Sequence, residues 1–514
     1  MWGPFLLARA IAHRSPLTAH RSPHVVTSLD LLVIAVYFAL TLGAGLWATR
    51  QQTTAGDYFL GARNLPAWAV LLSIVATETS ALTVISVPGI GARGDLTFLQ
   101  LALGYIVGRL VVAVWLLPGY LTGKQETAYA RLESRFGIGT RRLVSAVFLV
   151  TRFLGDGVRI FAGAIPLALV TGWSVPVSIL AMGIVTLVYT WFGGLKAVVW
   201  ADVVQLVVYV AGGVAALLIA FELAGGARVA LSAAAAAGKL RMLVPEPSLT
   251  APYTLLGGLI GGAMLSAASH GTDHLIVQRL LATRSLEAAR VALVGSGIVV
   301  FFQFLLFLLV GIAIWAAGLA PRELAADRIF ARFIVDQLPT GLAGLVVAGI
   351  LAAAMSTLSS SINALASSVT HDLYAGLTGR SDPTHLFTVG RAFSAGWGTS
   401  LVLGALAFHF LAGGSDTPVV VLALSIASVT YGVLLGAYLL AGAGRVGGAD
   451  VGTAALVTMP CMLVVLFAAP LSAHMGSAWA EALGRLAWPW YVPLGTVIMV
   501  CTGLLSSRIR SRNV

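Results

Sequence analysis

The chain has 514 residues, of which 58% are hydrophobic and only 10% charged, and its mean hydropathy is +0.94. Soluble domains carry about 25% charged residues, so this composition excludes an ordinary water-soluble fold. The net charge of +11 would favour nucleic acid if the basic residues shared one soluble face, but they are scattered through short loops between apolar segments. The sequence therefore predicts an integral membrane protein without a nucleic-acid partner.

Apolar segments long enough to cross a bilayer recur along the chain. We predict an all-α fold with a disordered tail over 1–27, one transmembrane domain over 28–507 and a basic cytoplasmic tail over 508–514. About 13 transmembrane helices are expected, at 29–49, 66–91, 96–121, 143–171, 174–193, 199–224, 252–277, 290–318, 339–370, 389–412, 417–442, 451–470 and 486–507.

The basic residues indicate how these spans are oriented. Seventeen Lys and Arg residues, Arg279 among them, fall in one set of alternate loops, and eleven fall in the opposite set. Cytoplasmic loops carry the excess of positive charge. We therefore expect a multi-pass protein of the cell membrane with its N-terminus outside and its C-terminus cytoplasmic.

Two spans, the second and the seventh, look interrupted. Span 2 carries Glu78 within a Thr/Ser-rich segment and Pro88 further on, and span 7 is rich in glycine and carries Asp273. Broken helices at matching positions of two halves indicate an inverted-repeat transporter. Spans 2–6 and 7–11 would then form two five-helix units of opposite orientation. The alternative is that Gly and Ser only loosen the packing of two intact helices.

Span 9 contains a run of hydroxyl side chains, from Ser356 to Ser361, inside an uncharged apolar segment. Small residues at such a place favour close helix packing. A dense patch of oxygen atoms is also suited to a dehydrated hard cation such as sodium.

Several motifs carry a family resemblance. Tyr189 to Gln205 combine an aromatic-flanked Gly-Gly with a Trp-x-Asp-x-x-Gln pattern, and Asp57 to Arg63, Val277 to Arg279 and His371 to Tyr374 are also characteristic. In this order they resemble the sodium:solute symporter family across nearly the whole chain from Ser28. The resemblance implies the leucine-transporter-type inverted-repeat fold and sodium-coupled transport rather than an enzyme.

The resemblance also implies sodium ligands, with one and at most two coupling ions. The principal site would use backbone carbonyls and hydroxyls of Ala76, Thr79, Ala353, Ser356 and Thr357. A second site, present in some members, would use Asp202, Ser359 and Ser360, and Ser361 would serve packing alone. Two alternatives stay open: the hydroxyls could bond back to the preceding turn, and Asp202 could orient a helix end.

The solute is expected at mid-membrane, where buried ionisable residues indicate function. The candidate solute ligands are Glu78, Ser80, Thr83, Arg152, Asp156, Arg159, Ser266, His270, Asp273 and His274. Arg152, Asp156 and Arg159 share one helix face, so they fit an anion site and an internal ion-pair network equally well. His270 and His274 are spaced for a metal, but a hydrogen-bonded pocket lining is the favoured interpretation.

We predict import of a small polar solute with sodium by alternating access. Sugar-transporting members tend to have an acidic–amide pair where this chain has Leu82 and Thr83, which favours an organic anion such as a monocarboxylate, a sialic acid or a vitamin-like acid. A sodium/sugar or amino-acid symporter is the alternative, and a transporter-like solute sensor is the alternative of another class. The expected partners are the solute, sodium and the lipid bilayer, with no obligatory protein partner.

Overall fold

The computed structural model describes residues 27–47, 52–123, 125–411, 419–475 and 477–512, and these residues form helices without a β-sheet. The longer helices are α1 (Ser28–Trp47), α2 (Ala67–Glu78), α3 (Ala81–Arg93), α4 (Leu99–Thr122), α5 (Ile138–Thr171), α6 (Val175–Leu223), α7 (Ala227–Ala236), α8 (Gly262–Gly271), α9 (His274–Leu281), α10 (Leu286–Ala316), α11 (Ala326–Gln337), α12 (Leu342–Ser368), α13 (Pro383–Leu411), α14 (Val419–Ala441), α15 (Gly448–Met475) and α16 (Tyr491–Arg512). The predicted tail over 1–27 lies almost wholly outside the described residues. The last helix continues to Arg512, into the predicted basic tail.

Among the described residues, eight helices are long and apolar enough to cross a membrane, and nine if the bent pair α2 and α3 forms one span. The count of thirteen spans stays a prediction. Predicted spans 5 and 6 correspond to α6, which consists of two helical segments that meet at Gly194; as one straight helix its 49 residues would extend about 74 Å, more than twice the hydrocarbon thickness. Gly194, with φ 52° and ψ −150°, bends it, because this left-handed conformation is accessible to glycine.

Among the described residues, backbone hydrogen bonds join loops into two groups. In the first group, Leu96 donates its amide to the carbonyl of Arg241 at 3.1 Å. In the second, Leu65 donates its amide to the carbonyl of Ala282 at 3.1 Å. Each bond joins loops that the sequence placed on one side of the membrane, and which side each group faces stays a prediction.

Helix α12 lies at the centre of the molecule. Every residue from Val346 to Ser368 is buried, and the helix packs against α1, α2, α5 and α6. Its hydroxyl groups therefore face other helices rather than lipid.

Candidate functional site

The second predicted span is broken between α2 and α3, which meet at an angle of 67°. Thr79 is extended, with φ −78° and ψ 103°, and the Ser80 hydroxyl caps α3 by accepting from the Thr83 amide at 3.4 Å. The last four carbonyls of a helix lack the usual amide partner. Ala76 lies in the last turn of α2 and Thr79 just beyond it, and no backbone amide of the described residues outside the regular helices donates to either carbonyl. Both carbonyls are therefore candidate ion ligands.

The hydroxyl run of α12 meets this break from the opposite side. Ser360 lies 3.0 Å from the Thr77 hydroxyl of α2, oxygen to oxygen. Ser356 donates to Asp202 at 2.6 Å, and Thr357 donates to the Ala353 carbonyl one turn back at 3.1 Å. The two walls of the predicted sodium site are thus in contact. The hydroxyl hydrogens of Ser356 and Thr357 point to protein acceptors, which leaves their lone pairs for a cation.

Asp202 of α6 is fully buried, and both its oxygens have protein partners. One accepts from Ser356, and the other accepts from Ser73 at 2.5 Å and from the Arg279 guanidinium at 3.1 Å. Arg279 also donates to Ser360. The prediction that Arg279 belongs to a cytoplasmic loop is wrong, because its side chain has no exposed surface. The position of Arg279 at the end of the Val277 to Arg279 motif was the sequence signal that could have indicated its burial.

The other predicted member of the second site, Ser359, turns back to its own helix and donates to the Ser356 carbonyl at 3.1 Å. Ser361, which was expected to serve packing alone, donates to Asp156 of α5 at 2.5 Å. That expectation is wrong, since this hydroxyl holds the carboxylate that lies behind the arginine pair of α5.

A cavity of about 270 Å³ lies beside the broken span. Seven of the ten predicted solute ligands line it: Glu78, Ser80, Thr83, Arg152, Arg159, Ser266 and His270. Asp156 and Asp273 lie behind the lining, where they hold the arginines. His274 lies elsewhere, with its ring 3.1 Å from the Ser367 hydroxyl and packed against Tyr129 and Phe148.

The two arginines of the cavity have unequal surroundings. Arg152 is enclosed and donates to Asp273 through Nε at 3.0 Å and Nη2 at 2.5 Å. Arg159 keeps 24% of its side chain exposed, and among the described residues it has one hydrogen bond, from Nη1 to Asp156 at 2.9 Å. Arg152 is therefore part of an internal ion-pair network, whereas Arg159 has donors left for a ligand.

Glu78 stands at another part of the cavity wall. Its Oε2 accepts from Arg109 of α4, whose Nη1 donates to Ser296 at 2.5 Å. His270 Nε2 lies 3.4 Å from the same oxygen. Arg109 was placed inside a span by the sequence but was not recognised as the partner of Glu78.

Aromatic side chains complete the cavity wall, and no sequence pattern predicted them. They are Phe98, Tyr105, Tyr253, Phe304, Tyr431 and Trp488. Phe98 packs edge-on against Tyr253 and Phe304, with ring centroids 5.2 and 5.1 Å apart. These rings come from segments far apart in the chain, so no local pattern unites them.

Residues 58–442 match the model of the Sodium:solute symporter family, about three quarters of the chain. The chain belongs to the sodium:solute symporter family. Its relatives are sodium-coupled membrane transporters rather than enzymes, which confirms the family and the kind of protein expected from the motifs.

Named relatives carry different solutes. The chain is 30% identical to the human sodium/iodide cotransporter over 423 residues, covering 80% of this chain but 65% of that protein, less than two thirds of its length. It is 28% identical to the sodium/sialic acid symporter SiaT of Proteus mirabilis over 369 residues, 69% of this chain and 73% of that protein.

A solved structure extends the likeness to the fold. A Na⁺-coupled sialic acid symporter in a substrate-bound, outward-open state superposes with a TM-score of 0.80 at 26% identity, covering 94% of this chain and 98% of that one. This chain therefore has the leucine-transporter-type fold that the family resemblance implied, and sodium is the coupling ion of its family.

Proposed function

We propose that this symporter imports a small organic anion with a single negative charge, together with sodium, by alternating access. The observation that carries the proposal is the charge balance around the cavity. Three carboxylates and three guanidinium groups line it or lie directly behind it: Glu78, Asp156, Asp273, Arg109, Arg152 and Arg159. The buried Asp202–Arg279 pair beside them is also neutral as a unit.

One sodium ion adds one positive charge to this neutral surrounding. Leaving a net charge in a low-dielectric site is costly, so the solute that completes neutrality carries one negative charge. A neutral sugar or a zwitterionic amino acid would leave the charge of the sodium uncompensated.

Arg159 is the residue we assign to the anionic group of the solute. Its guanidinium can offer a carboxylate two parallel N–H donors, and its partly exposed side chain reaches the cavity. Arg152 holds the neighbouring wall in place through Asp273.

Sodium would bind between the Ala76 and Thr79 carbonyls and the Ala353, Ser356 and Thr357 oxygens, which ties α2 to α12. This tie would favour the state open to the outside, and the loaded bundle would then close and release its cargo to the cytoplasm. One sodium and one monoanion move no net charge, so the sodium concentration gradient alone would drive uptake. The excess of basic residues in the second group of loops supports a cytoplasmic C-terminus.

Replacement of Arg159 tests the proposal in proteoliposomes loaded with potassium, with uptake of labelled organic monoanions started by external sodium. Arg159→Gln should reduce sodium-dependent uptake by at least about tenfold, the loss of one charge-assisted contact, while Arg159→Lys should keep part of it. Arg332→Gln is the matched control, since Arg332 is an exposed arginine of α11. Uptake of neutral sugars but of no anion, or full activity of Arg159→Gln, would refute the assignment.

A further inference from the structure

Around Glu78 the cavity wall has polar atoms that the protein leaves unsatisfied. Both contacts to this carboxylate, from Arg109 and His270, are made to Oε2. Among the described residues, none donates to Oε1, and the side chain keeps 17% of its surface exposed in the cavity. One oxygen of a membrane-buried carboxylate therefore faces the space where the solute would lie.

Two further polar atoms lie beside Glu78, on side chains that are only 1% (Ser266) and 2% (His270) exposed. Among the described residues Ser266 Oγ has no hydrogen-bond partner, and His270 Nε2 makes no well-formed hydrogen bond, since its one polar neighbour is Glu78 Oε2 at 3.4 Å. Ser266 and His270 lie four residues apart on α8 and both line the cavity, so they share one face of that helix. Buried polar atoms are rarely left unpaired unless they serve a ligand or water.

The position of Ser266 is set by a close approach of two helices. A Cβ atom on Gly108 of α4 would lie 2.2 Å from the Ala263 carbonyl and 2.9 Å from the Ser266 Cβ. Only glycine permits this contact. It brings Ser266 next to the turn of α4 that carries Arg109, the partner of Glu78.

We propose that Glu78 Oε1, Ser266 Oγ and His270 Nε2 form a polar cup that binds hydroxyl groups of the solute, so that the preferred solute is a hydroxylated monocarboxylic acid. This inference rests on the proposed function, because the carboxylate of the same solute would be bound by Arg159. It excludes plain aliphatic acids and inorganic anions as preferred cargo, since these would leave the cup unsatisfied.

A hydroxyl fits the cup better than an ammonium group does. A hydroxyl donates to Glu78 and still accepts a hydrogen bond from a neighbour, whereas an ammonium only donates. An ammonium would also add a positive charge, although Arg109 already neutralises Glu78. Leaving the cup unpaired should cost a plain acid much of its affinity, because a site built for hydroxyls rejects analogues that lack them.

Three six-carbon acids test the cup: gluconate, hexanoate and 6-aminohexanoate. Their dissociation constants are measured on the purified full-length protein by thermal shift, in sodium and in potassium. In sodium, gluconate should bind at least about tenfold more tightly than hexanoate, the effect of one hydrogen bond to a charged group. Tighter binding of 6-aminohexanoate than of gluconate would overturn the proposal, as would equal binding of gluconate and hexanoate.

Two variants test whether the polar cup causes the preference for gluconate over hexanoate. Glu78→Gln should lower the ratio of gluconate to hexanoate affinity by about tenfold and Ser266→Ala by about threefold, as expected for charged and neutral hydrogen bonds. Ser266→Ala removes one hydroxyl that has no hydrogen-bond partner in the described part of the chain, so it keeps the test decisive if Glu78→Gln fails to fold. A ratio unchanged in the folded variants would show that Glu78 serves only as the counter-ion of Arg109. Absence of sodium-dependent binding by all three acids would instead contradict the proposed function.

Discussion

The two broken spans of this protein occupy matching positions, but they differ in which groups satisfy the polar atoms at the break. In the seventh span, Asp273 caps α9 through Oδ1, which accepts from the Leu275 amide at 3.0 Å, and its Oδ2 is taken by Arg152 and by Tyr431 at 3.1 Å. In the second span the cap is the neutral hydroxyl of Ser80, and no hydrogen bond between loops, caps or side chains of the described residues reaches the carbonyls of Ala76 and Thr79.

This difference suggests a division of roles. The break of the seventh span is satisfied by the protein itself and fixes the arginine network of α5, whereas the break of the second span is where we propose that sodium binds. Repeat symmetry explains why both spans are broken, and the side chains at each break make the two differ.

The largest expected effect is on thermal stability, and it follows from replacing Asp273, which satisfies the break of the seventh span. Asp273→Asn removes the carboxylate that holds Arg152 and leaves a buried, poorly compensated cation, at a cost of roughly 3–5 kcal/mol. The variant should unfold at a clearly lower temperature than the wild type in detergent, with or without sodium. Asp336→Asn, which breaks an exposed pair on α11, should change the midpoint little. If Asp273→Asn unfolds as the wild type does, this break is not held by its ion pairs.

The break of the second span should respond to sodium instead. Ser356→Ala and Thr357→Ala each remove one proposed oxygen ligand, so each should raise the sodium concentration for half-maximal uptake by about tenfold, equivalent to 1.4 kcal/mol. Thr458→Ala is the control, because this buried threonine of α15 bonds back to Ala454 in the way that Thr357 bonds to Ala353. Wild-type sodium dependence in both variants would remove Ser356 and Thr357 from the site.

Asp202 provides a test of ion number. Because its oxygens already bind Ser73, Ser356 and Arg279, we expect one sodium per solute and electroneutral uptake, and the ratio should stay at one in Asp202→Asn. Parallel fluxes of labelled sodium and solute measure it. A ratio that falls from two to one in this variant would instead establish a second ion at Asp202, Ser359 and Ser360, worth about 2.3 kcal/mol per 100 mV of membrane potential.

The sequence predicted those features of the fold that depend on a local pattern of residues. Apolar length located the helices, and polar residues marked both breaks, at Thr79–Ser80 and at Thr272–Asp273. Pro88, which was expected to contribute to the first break, lies inside α3 instead. The contact between the hydroxyl run of α12 and the broken second span was expected from the motifs, and it was found at Thr77 and Ser360.

Contacts between segments far apart in the chain could not be predicted from local sequence patterns. Arg279 looked like a loop residue because a charge at the end of a span usually reaches water. Its ion pair with Asp202 joins residues 77 positions apart. Glu78 and Arg109 were both visible inside spans, but only the fold, which brings α4 beside the end of α2, shows that they form an ion pair.

The smallest expected effect concerns the cap of α3. Ser80→Ala removes the hydroxyl that accepts from the Thr83 amide, and loss of such a cap costs about 0.5–2 kcal/mol. The contact is long, at 3.4 Å, so the thermal midpoint should fall far less than in Asp273→Asn. Ser80→Thr keeps an oxygen at the cap and should recover most of the loss. If Ser80→Ala destabilised the protein as strongly as Asp273→Asn, the second break would also be held by the protein, and the contrast between the two spans would fail.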